Sequence, residues 1–151
     1  MYGETPSVKV KDCTADTWVL DLEDIEAHTG ILKQRVTATM RASTSNKYAF
    51  ASGMVLYSKL RPYLNKVIVA NESGCCTTEI IPIGLYAGAN PFYFQQLLMS
   101  PYFVDEINSD AYGVKMPRAD TKKVKSFLVP IPPLPEQHRI VEKLGALLSQ
   151  I

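Results

Sequence analysis

The chain has 151 residues, 46% hydrophobic and 21% charged, which fits one ordinary globular domain able to bury roughly 70% of its unfolded surface. No apolar run is long enough to span a membrane and Met1 to Lys11 has no signal-peptide core; three cysteines, two adjacent at Cys75-Cys76, make neither a zinc spacing nor a disulfide framework, so a reduced cytoplasm is the expected compartment. The net charge of +1 excludes no polyanion partner, because the charges are segregated along the chain.

From Met1 to Glu26 there are seven acids (Glu4, Asp12, Asp16, Asp21, Glu23, Asp24, Glu26) against two lysines. Within this stretch Thr17-Trp18-Val19-Leu20-Asp21-Leu22 alternates like a half-buried strand, and an acidic turn of helix or loop follows through Ala27. From Ala27 to Asn71 there is no acid, against seven bases: Lys33, Arg35, Arg41, Lys47, Lys59, Arg61 and Lys66. Such a window predicts one shared positive surface for nucleic-acid contact, although a charge run is also how a solvated face reads. Lys33 to Lys47 is rich in Ser and Thr and lacks apolar periodicity, which predicts a long loop or ragged hairpin.

Phe50 to Leu60 has strand character with a turn at Ser52-Gly53; Val67 to Ala70 is a short apolar strand, and Cys75 to Ile83 another. Asn90-Pro91 has the chemistry of a helix start, with Asn as N-cap and Pro in the first position, and predicts a helix to Met99. Tyr102 to Ile107 reads as a second short helix and Val124 to Val129 as a last strand. A second basic cluster, Lys115, Arg118, Lys122, Lys123 and Lys125, is interrupted only by Asp120. Trp18 reads as a core anchor, and Cys75 and Cys76 as small buried apolar residues.

Prolines at 130, 132, 133 and 135 fix φ and remove four backbone donors, so this stretch belongs to no regular ladder and predicts a stiff extended rod of roughly 15–20 Å. Pro135 suits the first turn of a helix and Glu136 favours the positive end of its dipole. Beyond it Ile140, Leu144, Leu147 and Ile151 recur at four, three and four, the a/d spacing of a coiled coil, widened by Val141 and Leu148. Two heptads are equally the pattern of an amphipathic helix packed on its own domain. The residues together predict an α+β domain of mixed strands and short helices with a projecting C-terminal coiled-coil-type helix: a domain over 1–129, a proline strut over 130–135 and the start of a helix over 136–151.

Three segments in this order carry a family resemblance: Lys59-Leu60-Arg61-Pro62-Tyr63-Leu64 after a strand, the Asn90-Pro91 helix with Gly113-Val114-Lys115-Met116-Pro117-Arg118 behind it, and Pro132-Pro133-Leu134-Pro135-Glu136-Gln137-His138-Arg139-Ile140-Val141. From about Trp18 to Ile151 the chain resembles the specificity subunit of type I restriction–modification systems, with one small mixed-sheet target recognition domain and the beginning of the conserved helix after it. The resemblance implies sequence-specific binding of double-stranded DNA at one half of a bipartite target and positioning of the methyltransferase (M) and restriction (R) subunits. It also implies a second copy or second half of the specificity subunit as partner, no membrane, and no chemistry or cofactor of its own. Full members carry two recognition domains and two long helices, so this length reads as a half-subunit, a truncated gene product or a cut fragment. The residues agree on catalysis: there is no Walker motif, no Asn-Pro-Pro-Tyr-like methyltransferase motif and no paired acidic nuclease cluster, and His28 and His138 lack a nucleophile at a useful spacing.

Lys47, Lys59, Lys66, Lys115 and Lys122 are the expected phosphate contacts, since lysine neutralises phosphate without reading sequence. Lys33, Gln34, Arg35, Arg41, Ser43 and Asn46 are the expected base readers, because Arg matches guanine and Gln or Asn matches adenine. Arg61, Tyr63 and Arg118 either touch DNA or brace the loops beneath it. Ile140, Leu144, Leu147 and Ile151 are the expected partner-helix interface, and no metal site is expected. Two other readings stay open: a protein-interaction module docking through that helix, and an RNA-binding domain whose Tyr48, Tyr57 and Tyr63 stack unpaired bases.

Overall fold

The computed structural model describes residues 3–4, 9–10, 14–41, 45–113 and 115–150. Ser43, Val114 and Ile151 lie outside the described residues. Eight strands form two four-stranded sheets: β1 (Gly3–Glu4), β2 (Lys9–Val10), β3 (Trp18–Leu20), β4 (Lys47–Phe50), β5 (Val55–Ser58), β6 (Val67–Val69), β7 (Gly74–Thr77) and β8 (Ile80–Leu85). One sheet has the order β1-β8-β5-β6 and is antiparallel throughout; the other has the order β2-β4-β7-β3, with β3 and β7 parallel. Helices α1 (Pro91–Met99), α2 (Pro101–Ser109), α3 (Thr121–Ser126) and α4 (Leu134–Leu148) follow the strands. Runs of strands followed by runs of helices make the α+β class.

The first sheet is covered on both faces, which explains its unbroken apolar runs. Strand side chains alternate in direction, so Val55 and Tyr57 of β5 join Val67, Ile81 and Ile83 in a cluster with Phe94 and Leu98 of α1 and Phe103 and Ile107 of α2. Leu56, Ile68 and Ile80 face the other way and meet Trp18, Leu20, Ile25, Phe50 and Cys76 between the two sheets. Trp18 is 1% exposed, with its ring edge-on to Phe50 at 5.1 Å, the core anchor its type predicts. Gly74 is required at the crossing, since a Cβ there would lie 2.5 Å from the Trp18 carbonyl oxygen.

Two expectations need correction. Cys75 to Ile83 is not one strand: a turn at Thr78-Glu79 passes the chain from β7 in one sheet to β8 in the other. Val124 to Val129 is not a strand, because Asp120 accepts a hydrogen bond from the Lys122 amide at 2.9 Å and starts α3, with Val124 buried beneath it. Helix α4 runs from Leu134, with Pro135 and Glu136 in its first turn as their chemistry requires. Near its start Ile140 and Val141 pack on the helical core cluster, and further along Leu147 and Leu148 are about half exposed. The loop after Lys33 is ordered by β3, with the Val19 amide donating to Val36 O (2.8 Å) and the Ala38 amide to Thr17 O (3.0 Å).

Candidate nucleic-acid interface

Backbone geometry builds the site first. The turn Pro62–Leu64 is a 3-10 helix entered through Arg61 and left through Asn65, both left-handed at φ 50° and 54°. His28, also left-handed at φ 67°, donates its amide to Leu64 O (3.1 Å) and Asn65 O (3.2 Å), and so draws the 28–33 segment against this turn. Gln95 of α1 donates to both Gly30 O (3.1 Å) and Val67 O (3.0 Å), locking the same two segments from below. Gly30 is needed for that, since a Cβ on it would sit 2.5 Å from the Gln95 amide nitrogen. Among the described non-glycine residues only Ala87 otherwise has positive φ, so three of the four such positions surround one turn. Left-handed non-glycine residues carry strain and cluster at functional sites.

Lys33, Arg61 and Lys66 converge on this frame. Burial pushes the Lys66 ammonium below the ordinary lysine value, and the neighbouring charges of Lys33 and Arg61 push it further down. Lys66 is held by donation to Leu22 O at 2.8 Å, while the side chains of Lys33 and Arg61 have no hydrogen-bond or ion-pair partner among the described residues. Tyr63, 47% exposed, belongs to the same turn. Asp21 and Asp24 offset this repulsion in part, and like charges held together in this way are what an anionic ligand repays.

A hairpin is strapped alongside. Tyr112 and Arg118 exchange both backbone hydrogen bonds (3.0 and 2.8 Å); the Arg61 amide donates to Pro117 O (2.6 Å) and the Ala119 amide to Lys59 O (2.7 Å). Exposed Lys115 is thereby carried next to the Lys59–Arg61 segment, with exposed Tyr112 and Met116 on the same hairpin. Lys59 itself is half-buried, and Lys122 is exposed in the first turn of α3, outside this backbone lattice.

Three other bases of the acid-free window, Arg35, Arg41 and Lys47, are paired or buried within the fold. Arg41 forks onto Asp24, which has no solvent exposure, at 2.7 and 2.9 Å; Gln34 donates to the same carboxylate at 2.8 Å and the Asp21 amide does so at 2.9 Å. Burial pushes the Asp24 carboxyl up, but the bonds from Arg41, the Asp21 amide and Gln34 outweigh it and hold the group below the usual carboxylate value. Arg35 pairs with Glu72 on the surface. Lys47 lies in β4, 5% exposed, donating to Ser45 O at 2.9 Å. Arg118 forks onto Glu79 at 2.9 to 3.1 Å and so braces the hairpin. The cationic ends of Arg41 and Lys47 are thus hydrogen-bonded inside the fold. Asn46 is exposed at the end of the loop.

Tyr57 is 4% exposed and in the core, and Tyr48 packs against the cluster between the sheets, which leaves Tyr63 as the single exposed member of the proposed stacking set. Asp24, Glu79 and Asn65 are the residues that sequence reasoning missed; of these only Asn65 carried a local signal, as Asn is a residue type that tolerates the left-handed region. On α4, Leu144 is half-buried while Leu147 and Leu148 are about half exposed, at 48% and 51%. Among the described residues no helix is long and apolar enough to cross a membrane.

The chain is 34% identical over 125 residues to the type I restriction enzyme EcoDI specificity subunit of Escherichia coli, an alignment that covers 83% of this chain and 28% of that protein. Its fold matches the crystal structure of the HsdS subunit from Thermoanaerobacter tengcongensis with a TM-score of 0.74 at 24% identity, over 96% of this chain and 37% of that one. A chain solved in work on complex assembly and conformational transition of the type I R-M system matches equally, with TM-score 0.74, 24% identity and the same coverage. This chain thus spans between about a quarter and two-fifths of the length of these relatives. The model of the type I restriction modification DNA specificity domain matches residues 27–151, and the chain belongs to that family.

Proposed function

We propose that this chain is a target recognition domain that binds one half of a bipartite duplex DNA target through the surface built on Lys33, Arg61 and Lys66. The carrying observation is that these three cations meet at a strained turn while other bases of the same window are paired or buried. Lys115, Lys59 and Lys122 extend the phosphate contacts, and Tyr63, Asn46, Gln34 and Arg35 are the groups nearest to a base-reading role. The Arg35–Glu72 pair is exposed and screened by water, so phosphate or guanine can displace it. The domain performs no chemistry. It positions the methyltransferase and restriction subunits of a cytoplasmic complex, and the Leu144, Leu147 and Leu148 edge of α4 receives a partner helix from a second copy or second half of the subunit.

Selection from a randomised duplex library tests the reading. A short enriched motif, read by half a target, is the expected result. No enrichment, or better retention of single-stranded RNA than of duplex DNA, removes it. The assembly reading draws on the exposed Leu147 and Leu148, and would stand alone if the chain ignored DNA.

A further inference from the structure

We infer that Gln137 is the positioning residue that fixes the angle between the recognition domain and helix α4. Prolines 130, 132 and 133 leave 128–133 without a strand ladder, yet its carbonyls are not idle. Every second one is caught by a side chain: Leu128 O by the Tyr102 hydroxyl (2.9 Å), Pro130 O by the Tyr93 hydroxyl (2.8 Å) and Pro132 O by the Gln137 amide (2.9 Å). Tyr102 belongs to α2, Tyr93 to α1 and Gln137 to α4, so the strut is stitched to three helices rather than standing off as a free rod.

Gln137 makes the joint. Only 3% exposed, it donates through Nε2 to the strut and accepts through Oε1 from the Asn90 backbone amide at 2.9 Å. Asn90 is the N-cap of α1 and uses its Oδ1 to accept from the Phe92 amide at 2.9 Å. That bond orients the Asn90 side chain so that its Nδ2 faces His138 Nδ1 at 2.8 Å, with the imidazole nitrogen as acceptor. The residue that starts α1 therefore also holds the first turn of α4. A glutamine is needed because one buried group must donate and accept at once; glutamate keeps only the acceptor and buries a charge.

The clasp stands on this geometry alone, while its use, setting the distance between DNA half-sites, rests on the proposed function. Distance measurement between nitroxides tests the clasp without DNA. Labels are placed at Ser52→Cys in the exposed β4–β5 turn and Lys143→Cys on α4, in a Cys13→Ser chain. The parent should give one narrow distance. Gln137→Ala and Gln137→Glu should broaden and shift it while circular dichroism stays native. The double change Tyr93→Phe with Tyr102→Phe keeps both rings and should broaden it less. Unchanged distributions in all three variants, with only a lower melting temperature, would overturn the inference. Failure of DNA selection with a narrow parent and broad variants would instead count against the DNA reading and leave the clasp standing.

Discussion

The guanidinium of Arg41 holds both carboxylate oxygens of Asp24, a group with no solvent exposure, across seventeen positions of chain. Removing the cation leaves a buried charge held only by Gln34 and the Asp21 amide, so Arg41→Ala should destabilise the fold by about 3 kcal/mol in urea titration. Because the folded Asp24 carboxyl is held below its ordinary value, its contribution is present above the unfolded pKa and is lost as pH falls through the folded one, in the window below about pH 4. Wild-type stability should therefore drop in that acid range, and Asp24→Asn should flatten the drop. An Arg41→Ala protein of wild-type stability would refute the role assigned to the pair.

Lys33 offers a separation of stability from binding. It adds repulsion to the Lys66 ammonium and has no described partner of its own, so Lys33→Gln should leave the melting temperature unchanged or slightly raised. Loss of one phosphate contact should weaken duplex binding about five- to eight-fold near 0.1–0.15 M salt. The Lys66 ammonium, pushed below its ordinary value by folding, also predicts stability that rises with pH just below the ordinary lysine value, where the unfolded chain binds the extra proton. A fall in melting temperature with unaltered binding would make Lys33 structural.

The starts of α1 and α4 were readable because each is a local event. Asn90-Pro91 carries its cap within two residues, and Pro135 can occupy little else but a first turn. The doubly covered strands β5, β6 and β8 were readable as apolar runs. Val124 to Phe127 misleads because β-branched and aromatic residues fit a strand equally well, and only the cap at Asp120 and the burial of Val124 settle it as a helix. The site was half legible. The acid-free window contains Lys33, Arg61 and Lys66, but which bases stay unpaired depends on Asp24, Glu79 and Glu72, whose approach is tertiary. Glu72 lies immediately after that window.

Cys76 tests the core between the sheets. Burial, with a smaller contribution from Cys75, pushes its thiol up to about 12. Folding thus disfavours the thiolate, and stability should decline as pH rises from the ordinary thiol value near 9 towards 12. In a Cys13→Ser chain no thiol should react with a disulfide reagent at pH 8 until urea is added. Rapid labelling of the native protein would show that the two sheets do not close over Cys76.

The salt dependence of duplex binding tests the central claim most directly. Three neutralised phosphates at Lys33, Arg61 and Lys66 predict that log K falls against log salt with a slope of about −2.7 at the least, and each further lysine steepens it by about 0.9. The combined change Lys33→Gln, Arg61→Gln and Lys66→Met should flatten the line by about 2.7. A wild-type line that is already flat, or a triple variant that keeps the wild-type slope, would contradict the placement of DNA on this turn.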